Sequence, residues 1–309
     1  MLRPVVVSAL FAAACSKGST AQQTGPSNKA SPPVASASVE DVLGFLPLDS
    51  DLVVGIDANT MRASALWKQF EPQIVAGLGN KLPLMRDKCG FDPLRSVERV
   101  AIGGKLGPNE KFDGVIVIRG VAGGKTLECI AKETEGEGAV TNDRGILTVD
   151  RGGSEKMVAT IVAETTLVVQ VGASASAASL DAVVRSGSPL RSSKGFMTLF
   201  DRREANASAW GMVSGNSPLL REMAQAGAQP KSVDGTVVLD SRMTAVVRMG
   251  FANQADADKV KQQLAPVLPM VSGRVEKIDM SVNGPTLRGE VIANDAQLRE
   301  LMSMLGGFM

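Results

Sequence analysis

Histidine is absent from all 309 residues. Without an imidazole, no Ser-His-Asp or Cys-His catalytic pair can be assembled, and imidazole-ligated zinc, copper or haem is excluded as well. Tyrosine is absent too, and aromatic residues make up only 4% of the chain, which leaves few platforms on which bases could stack. Neither sign of charge dominates. Lys and Arg number 33 against 32 Asp and Glu, so there is no overall field to attract nucleic acid, and no clustered basic run replaces it. No S-x-x-K and no D-[ST]-G occurs, which removes the sequence support for a Ser-Lys hydrolase or an aspartic-protease loop. No segment reaches the roughly 18 uninterrupted apolar residues that a spanning helix needs.

What is present suffices for one large or two medium domains, because 44% of the residues are apolar. With so few aromatics, the core must be built from Val, Leu, Ile, Ala and Met. The 14 methionines, Met302 and Met304 among them, read as gap-fillers for that core rather than as an adaptable binding face.

The N-terminus has the form of a processing segment. Arg3 precedes an apolar run from Val5 to Ala14, ten residues counting Ser8. That is half of the about 20 needed to span a bilayer, yet it fits a secretory h-region. Three alanines, Ala12 to Ala14, then precede Cys15. One reading is an ordinary signal peptide cleaved after Ala14, leaving a plain thiol at Cys15. The alternative is that the run resembles the lipobox of bacterial lipoproteins, with Ala12 where leucine is usual. That resemblance implies a signal peptide over 1–14, an acylated Cys15 as the mature first residue and, because Ser16 rather than Asp follows it, sorting to an outer membrane. Ser16 to Ser38 is rich in Ser, Ala, Gln, Gly and Pro and cannot bury enough apolar area to fold. With Cys15 it forms a disordered linker over 15–38.

With Cys15 assigned to the anchor, Cys89 and Cys129 remain as an even pair. In an oxidising compartment they are candidates for a bridge; two buried free thiols are the alternative, because Cys129 lies between Leu127 and Ile130 on the apolar side of its helix.

From Val39 onward the pattern predicts an α+β fold. Leu52–Ile56 reads as a strand, and Thr60 as the cap of a helix with Ala63, Leu66, Trp67 and Phe70 inward. Val97–Ile102 is a strand and 103–113 a polar loop. Gly114–Lys132 then runs strand, Gly-rich turn, amphipathic helix. Short strands follow around Asn142–Gly145, and a helix over 175–185. Gly187–Lys194 has the composition of a connector, which divides the chain into halves at 39–187 and 188–309. The second half repeats the scheme, with Ser217-Pro218 opening one helix, Asn253 another, and Asn294 with Gln297 forming a capping box. Three echoes keep the same order in both halves: Val54-Gly-Ile with Trp210-Gly-Met, Pro93-Leu-Arg-Ser-Val with Pro230-Lys-Ser-Val, and Ile116-Val-Ile-Arg-Gly with Val246-Val-Arg-Met-Gly. Sharp turns between strands favour mainly antiparallel sheet with helices packed on one face.

Two groups of residues invite a chemical reading. Gly120-Val-Ala-Gly-Gly-Lys125-Thr126 lies between a strand and a helix, as a phosphate loop does, but only three residues separate Gly120 from the Gly-Lys pair and Arg119 stands where the first glycine belongs. The carboxylate pairs Asp49/Asp51 and Asp256/Asp258 could bind calcium or act as acid and base. No calcium-loop pattern follows either pair, and turn chemistry and helix-dipole compensation account for both.

The chain therefore reads as a non-enzymatic cell-envelope lipoprotein, a binding or assembly module held to a bilayer through Cys15. Its partner is an envelope protein or lipid, with no cofactor, metal or nucleic acid expected. In overall pattern it resembles uncharacterised bacterial lipoproteins with a lipobox, a tether and a duplicated α+β domain opened by Leu46-Pro-Leu-Asp-Ser-Asp-Leu-Val-Val. A carrier holding a hydrophobic ligand between the halves, and an enzyme based on carboxylates or a lysine, are the alternatives.

Overall fold

The computed structural model describes residues 42–306, except 80, 91, 108–110, 122, 135, 137, 153–155, 186–189, 216, 225–226 and 228. The signal peptide, Cys15 and the linker lie outside the described residues. After a 3₁₀ turn at Val42–Phe45, β1 (Leu52–Asp57) leads into four helices: α1 (Ala58–Ala63), α2 (Ala65–Leu78), α3 (Lys81–Cys89) and α4 (Pro93–Ser96). Then come β2 (Arg99–Leu106), β3 (Phe112–Arg119), α5 (Gly123–Glu133), the strands β4 (Ala139–Asp143), β5 (Ile146–Asp150), β6 (Lys156–Val162) and β7 (Thr166–Val171), and α6 (Ala177–Arg185). A 3₁₀ turn at Leu190–Ser192 and α7 (Lys194–Phe200) lead to the second half. It comprises β8 (Ala209–Ser214), α8 (Pro218–Ala224), β9 (Ser232–Leu239), β10 (Met243–Gly250), α9 (Gln254–Leu264), α10 (Leu268–Ser272), β11 (Lys277–Asn283), β12 (Thr286–Ala293) and α11 (Asp295–Gly306).

All twelve described strands join one sheet in the order β11-β12-β10-β9-β8-β1-β2-β3-β7-β6-β5-β4, with every pairing antiparallel. From the centre outward, β1-β2-β3-β7-β6 in one half matches β8-β9-β10-β12-β11 in the other, and the hairpin β4-β5 extends the first half alone. The expected α+β class, two similar halves of antiparallel sheet, is the fold observed. The Val54 and Trp210 segments fall on β1 and β8, and the Ile116 and Val246 segments on β3 and β10. The halves meet edge to edge, with Val53 opposite Met212 and Gly55 opposite Trp210.

Alternation along the strands determines the layers. Val53, Ala101, Val115, Val117 and Val168 pack on one face against Phe45, Leu46, Leu180 and Val184. Leu167 and Val169 point the other way, with Ile116, toward Leu127 of α5. Helices therefore cover both faces of the first half, not one face as the sequence pattern predicts, because the central strands are apolar on both sides. In the second half, Met249, Leu287 and Met280 meet Ala257 and Val260 of α9 on the face that carries α5 in the first half. The opposite face turns polar there: Asp234 lies across from Arg248, and Arg248 across from Arg288.

Local chemistry sets several element boundaries differently from the sequence expectation. Thr60 is not a cap. Asp57 accepts from the Thr60 amide at 2.8 Å to start α1, and Ser64 accepts from the Trp67 amide at 3.1 Å to start α2, so the anticipated helix is two helices. Partial burial pulls the Asp57 carboxyl up, but the Thr60 amide and Arg99 outweigh it and hold its pKa below the usual value. The presumed loop 103–113 is mostly strand. Gly104 pairs with Gly114, and a Cβ on Gly104 would lie 2.4 Å from the Asp113 carbonyl; the two glycines allow two backbones to approach closely where Phe112 folds over them. The reciprocal capping box is present, with the Asn294 amide donating to Gln297 and the Gln297 amide to Asn294, both at 3.1 Å.

The presumed connector contributes one described residue to the core. Leu190 is 2% exposed, and Phe196 and Phe200 of α7 pack against the first-half cluster. Their rings meet Trp210 at 6.5 and 5.0 Å between centroids, and a Cβ on Gly55 would stand 2.3 Å from the indole. The indole thus lies over a strand position without a side chain, and an aromatic cluster seals the junction of the halves.

Candidate functional site

Where β1 and β8 meet, the strand ends and α7 enclose an open cleft of about 610 Å³. Its floor is apolar: Val53 and Met212 come from the paired strands, and Leu190, Phe196 and Leu199 from the segment between the halves. Its rim is polar, with Asp49, Asp51 and Lys105 from the first half and Lys231 and Ser232 from the second. Asp49 pairs with Lys105. The hydrogen bond from Lys105 holds the Asp49 carboxyl below its ordinary range, and Asp49 in turn raises the lysine. Asp51 bridges strands instead, since its amide donates to the Gly104 carbonyl at 2.9 Å and its carbonyl accepts from the Ser214 amide at 2.8 Å. The Asp51 carboxylate accepts from the Ser214 hydroxyl at 3.4 Å, so the two carboxylates have separate hydrogen-bond partners. Asp256 accepts from the side chain of Asn253 at 3.0 Å in the first turn of α9, and no described cluster of three acidic or cysteine side chains could hold a metal ion.

Two amides of the Gly-rich turn are used within the fold. The amides of Gly120 and Val121 donate to the Thr165 carbonyl at 2.9 and 3.1 Å, so these two are turned to the fold and not to a ligand. Gly120 adopts φ +90°, and a Cβ there would lie 2.0 Å from the Ser96 carbonyl; packing and backbone conformation require glycine. Lys125 is exposed while Thr126 is buried, so the two side chains do not converge on one ligand.

Cys89 at the end of α3 is bonded to Cys129 on α5, with Cα atoms 5.0 Å apart. Lys88 and Glu133 pair beside the bond at 2.8 Å. The sulfurs are buried and joined, and they fasten the α2–α3 arm to α5.

A polar network on the open face of the second half was not anticipated. Asp234, 4% exposed, accepts from Arg248 at 3.2 Å, and Arg202 stands 3.9 Å away. Burial pushes the Asp234 carboxyl up, against the pull of both arginines. The sequence signal was available in Asp234, Thr236, Thr244 and Arg248, polar residues at alternate positions of otherwise apolar strands. Arg248 also reaches Glu204 at 3.4 Å, and Glu290 is held low by Arg288 and Lys277. Its three acidic and four basic members pair with one another, so the charges are interspersed and not segregated by sign.

No family model and no curated protein matches the sequence. Among solved structures, crystal form III of TP0453 has a similar fold, with a TM-score of 0.56 at 12% identity, over 85% of this chain and 98% of that one. At that identity the likeness concerns the fold alone.

Proposed function

We propose that the chain is a non-enzymatic envelope lipoprotein, held at an outer membrane through acylated Cys15, whose junction cleft receives an apolar group of another envelope component. The observation that carries this reading is the cleft itself. Its volume, about 610 Å³, lies in the range of ligand sites, roughly 300–1,000 Å³, and its apolar floor is the part that would take an apolar group. Both halves and the segment between them contribute, so the site exists only where the halves are joined.

The same volume favours a second reading, a carrier whose cleft holds the apolar part of a lipid. An enzyme based on carboxylates or a lysine has less support, because Asp49 and Lys105 neutralise each other and the Asp51 carboxylate accepts from the Ser214 hydroxyl. No described helix is long and apolar enough to cross a membrane.

A photo-crosslinking residue in place of Leu199, in protein expressed in its native envelope, distinguishes the two. Under the module reading it captures one protein, and capture is lost when Met212→Trp fills the floor. Under the carrier reading it captures lipid. Capture that is indifferent to Met212→Trp would mean that the cleft is not the binding surface.

A further inference from the structure

We propose that the link from Leu264 to Gly273, which carries α10, is a membrane-contact loop that inserts its apolar side chains into the interface of an anionic bilayer. Met270 is 74% exposed and Val267 48%, the two highest values among the exposed large apolar side chains apart from Leu48. Three residues apart on a helical turn, they share one face. From Leu264 to Gly273 there is no charged residue, and Pro266 and Pro269 punctuate the run.

Two further features fit a lipid surface. Prolines lack an amide donor, and the Val267 and Met270 amides donate inside the loop, to Leu264 and Val267, at 2.9 and 3.1 Å. The Ser272 hydroxyl donates to the Pro269 carbonyl at 3.1 Å. A segment that satisfies its own polar groups can leave water at low cost. Lys261 precedes the run and Arg274 follows it, and cations beside an apolar run suit anionic headgroups.

The choice of a bilayer as occupant rests on the anchored reading above. About 26 residues separate Cys15 from Val42. A chain of that length spans about 28 Å on average and about 90 Å when extended, against about 55 Å across twelve strands, so the acyl anchor and the loop can reach one surface.

The test is Met270→Trp in the full chain, on vesicles of phosphatidylethanolamine and phosphatidylglycerol carrying brominated acyl chains. Val75→Trp, on α2, serves as an exposed control, and the mass of Cys15 is measured in the same sample. The emission added at 270 is expected to shift to the blue and to lose at least about half its intensity to the bromines, while that at 75 does neither. Quenching at 270 with Cys15 unmodified would retain the loop contact and remove the anchor. A chain that floats with the vesicles while the emission at 270 stays unquenched would overturn the loop contact and leave the anchor standing. A blue shift that appears without lipid and grows with protein concentration would assign the loop to a second copy of the chain, which also overturns the proposal.

Discussion

Replacing Trp210 with alanine lowers the stability of the fold by about 3 kcal/mol, toward the lower end of the range for large aromatic truncations because the ring is only partly buried. The indole closes the seam between the halves: Phe196 and Phe200 pack on it from α7, and it covers Gly55 on the neighbouring strand. Truncation leaves a void that β1 cannot fill, since position 55 has no side chain to move into it. Urea unfolding followed by circular dichroism measures the loss. A change smaller than about 1 kcal/mol would mean that the aromatic cluster is peripheral to the junction rather than its closure. Gly55→Val tests the same contact from the opposite side, since it places a branched side chain in the volume occupied by the indole.

Converting both Cys89 and Cys129 to serine is expected to cost about 4 kcal/mol at most, because the bond closes a loop of about 41 residues and loop closure in the unfolded chain scales with that length. The loss should be uneven. α3 is tied to α5 by the bond and by the Lys88–Glu133 pair, so amide exchange in α2 and α3 should accelerate more than in the central strands β1, β2 and β8. A urea midpoint that is the same in wild-type protein with and without reductant would show that the bond contributes nothing to the fold.

Much of this architecture was legible in the sequence, for physical reasons. The alternation of β3 and β10, the Asn253 cap and the Asn294–Gln297 box depend on short-range patterns, and those patterns are realised. What eluded sequence reading depends on long-range pairing. Gly103 and Gly104 look like loop residues until Gly114 is known to lie opposite. Gly187–Lys194 looks like a connector because its one large apolar residue, Leu190, is isolated in sequence, yet it is buried in the first-half cluster. The candidate site was hidden by the same two effects. Leu190, Phe196 and Leu199 face a cleft whose opposite wall is Met212, and no local pattern announces that β8 pairs with β1. Asp49 and Asp51 were visible as a pair, and the structure assigns each a different partner.

Attachment through Cys15 is the proposal on which the rest depends, and the intact mass of the protein recovered from its own membranes tests it. The account predicts a chain that begins at Cys15 and carries the added mass of a diacylglyceryl group. A soluble chain that retains residues 1–14, with a free thiol at Cys15, would contradict it.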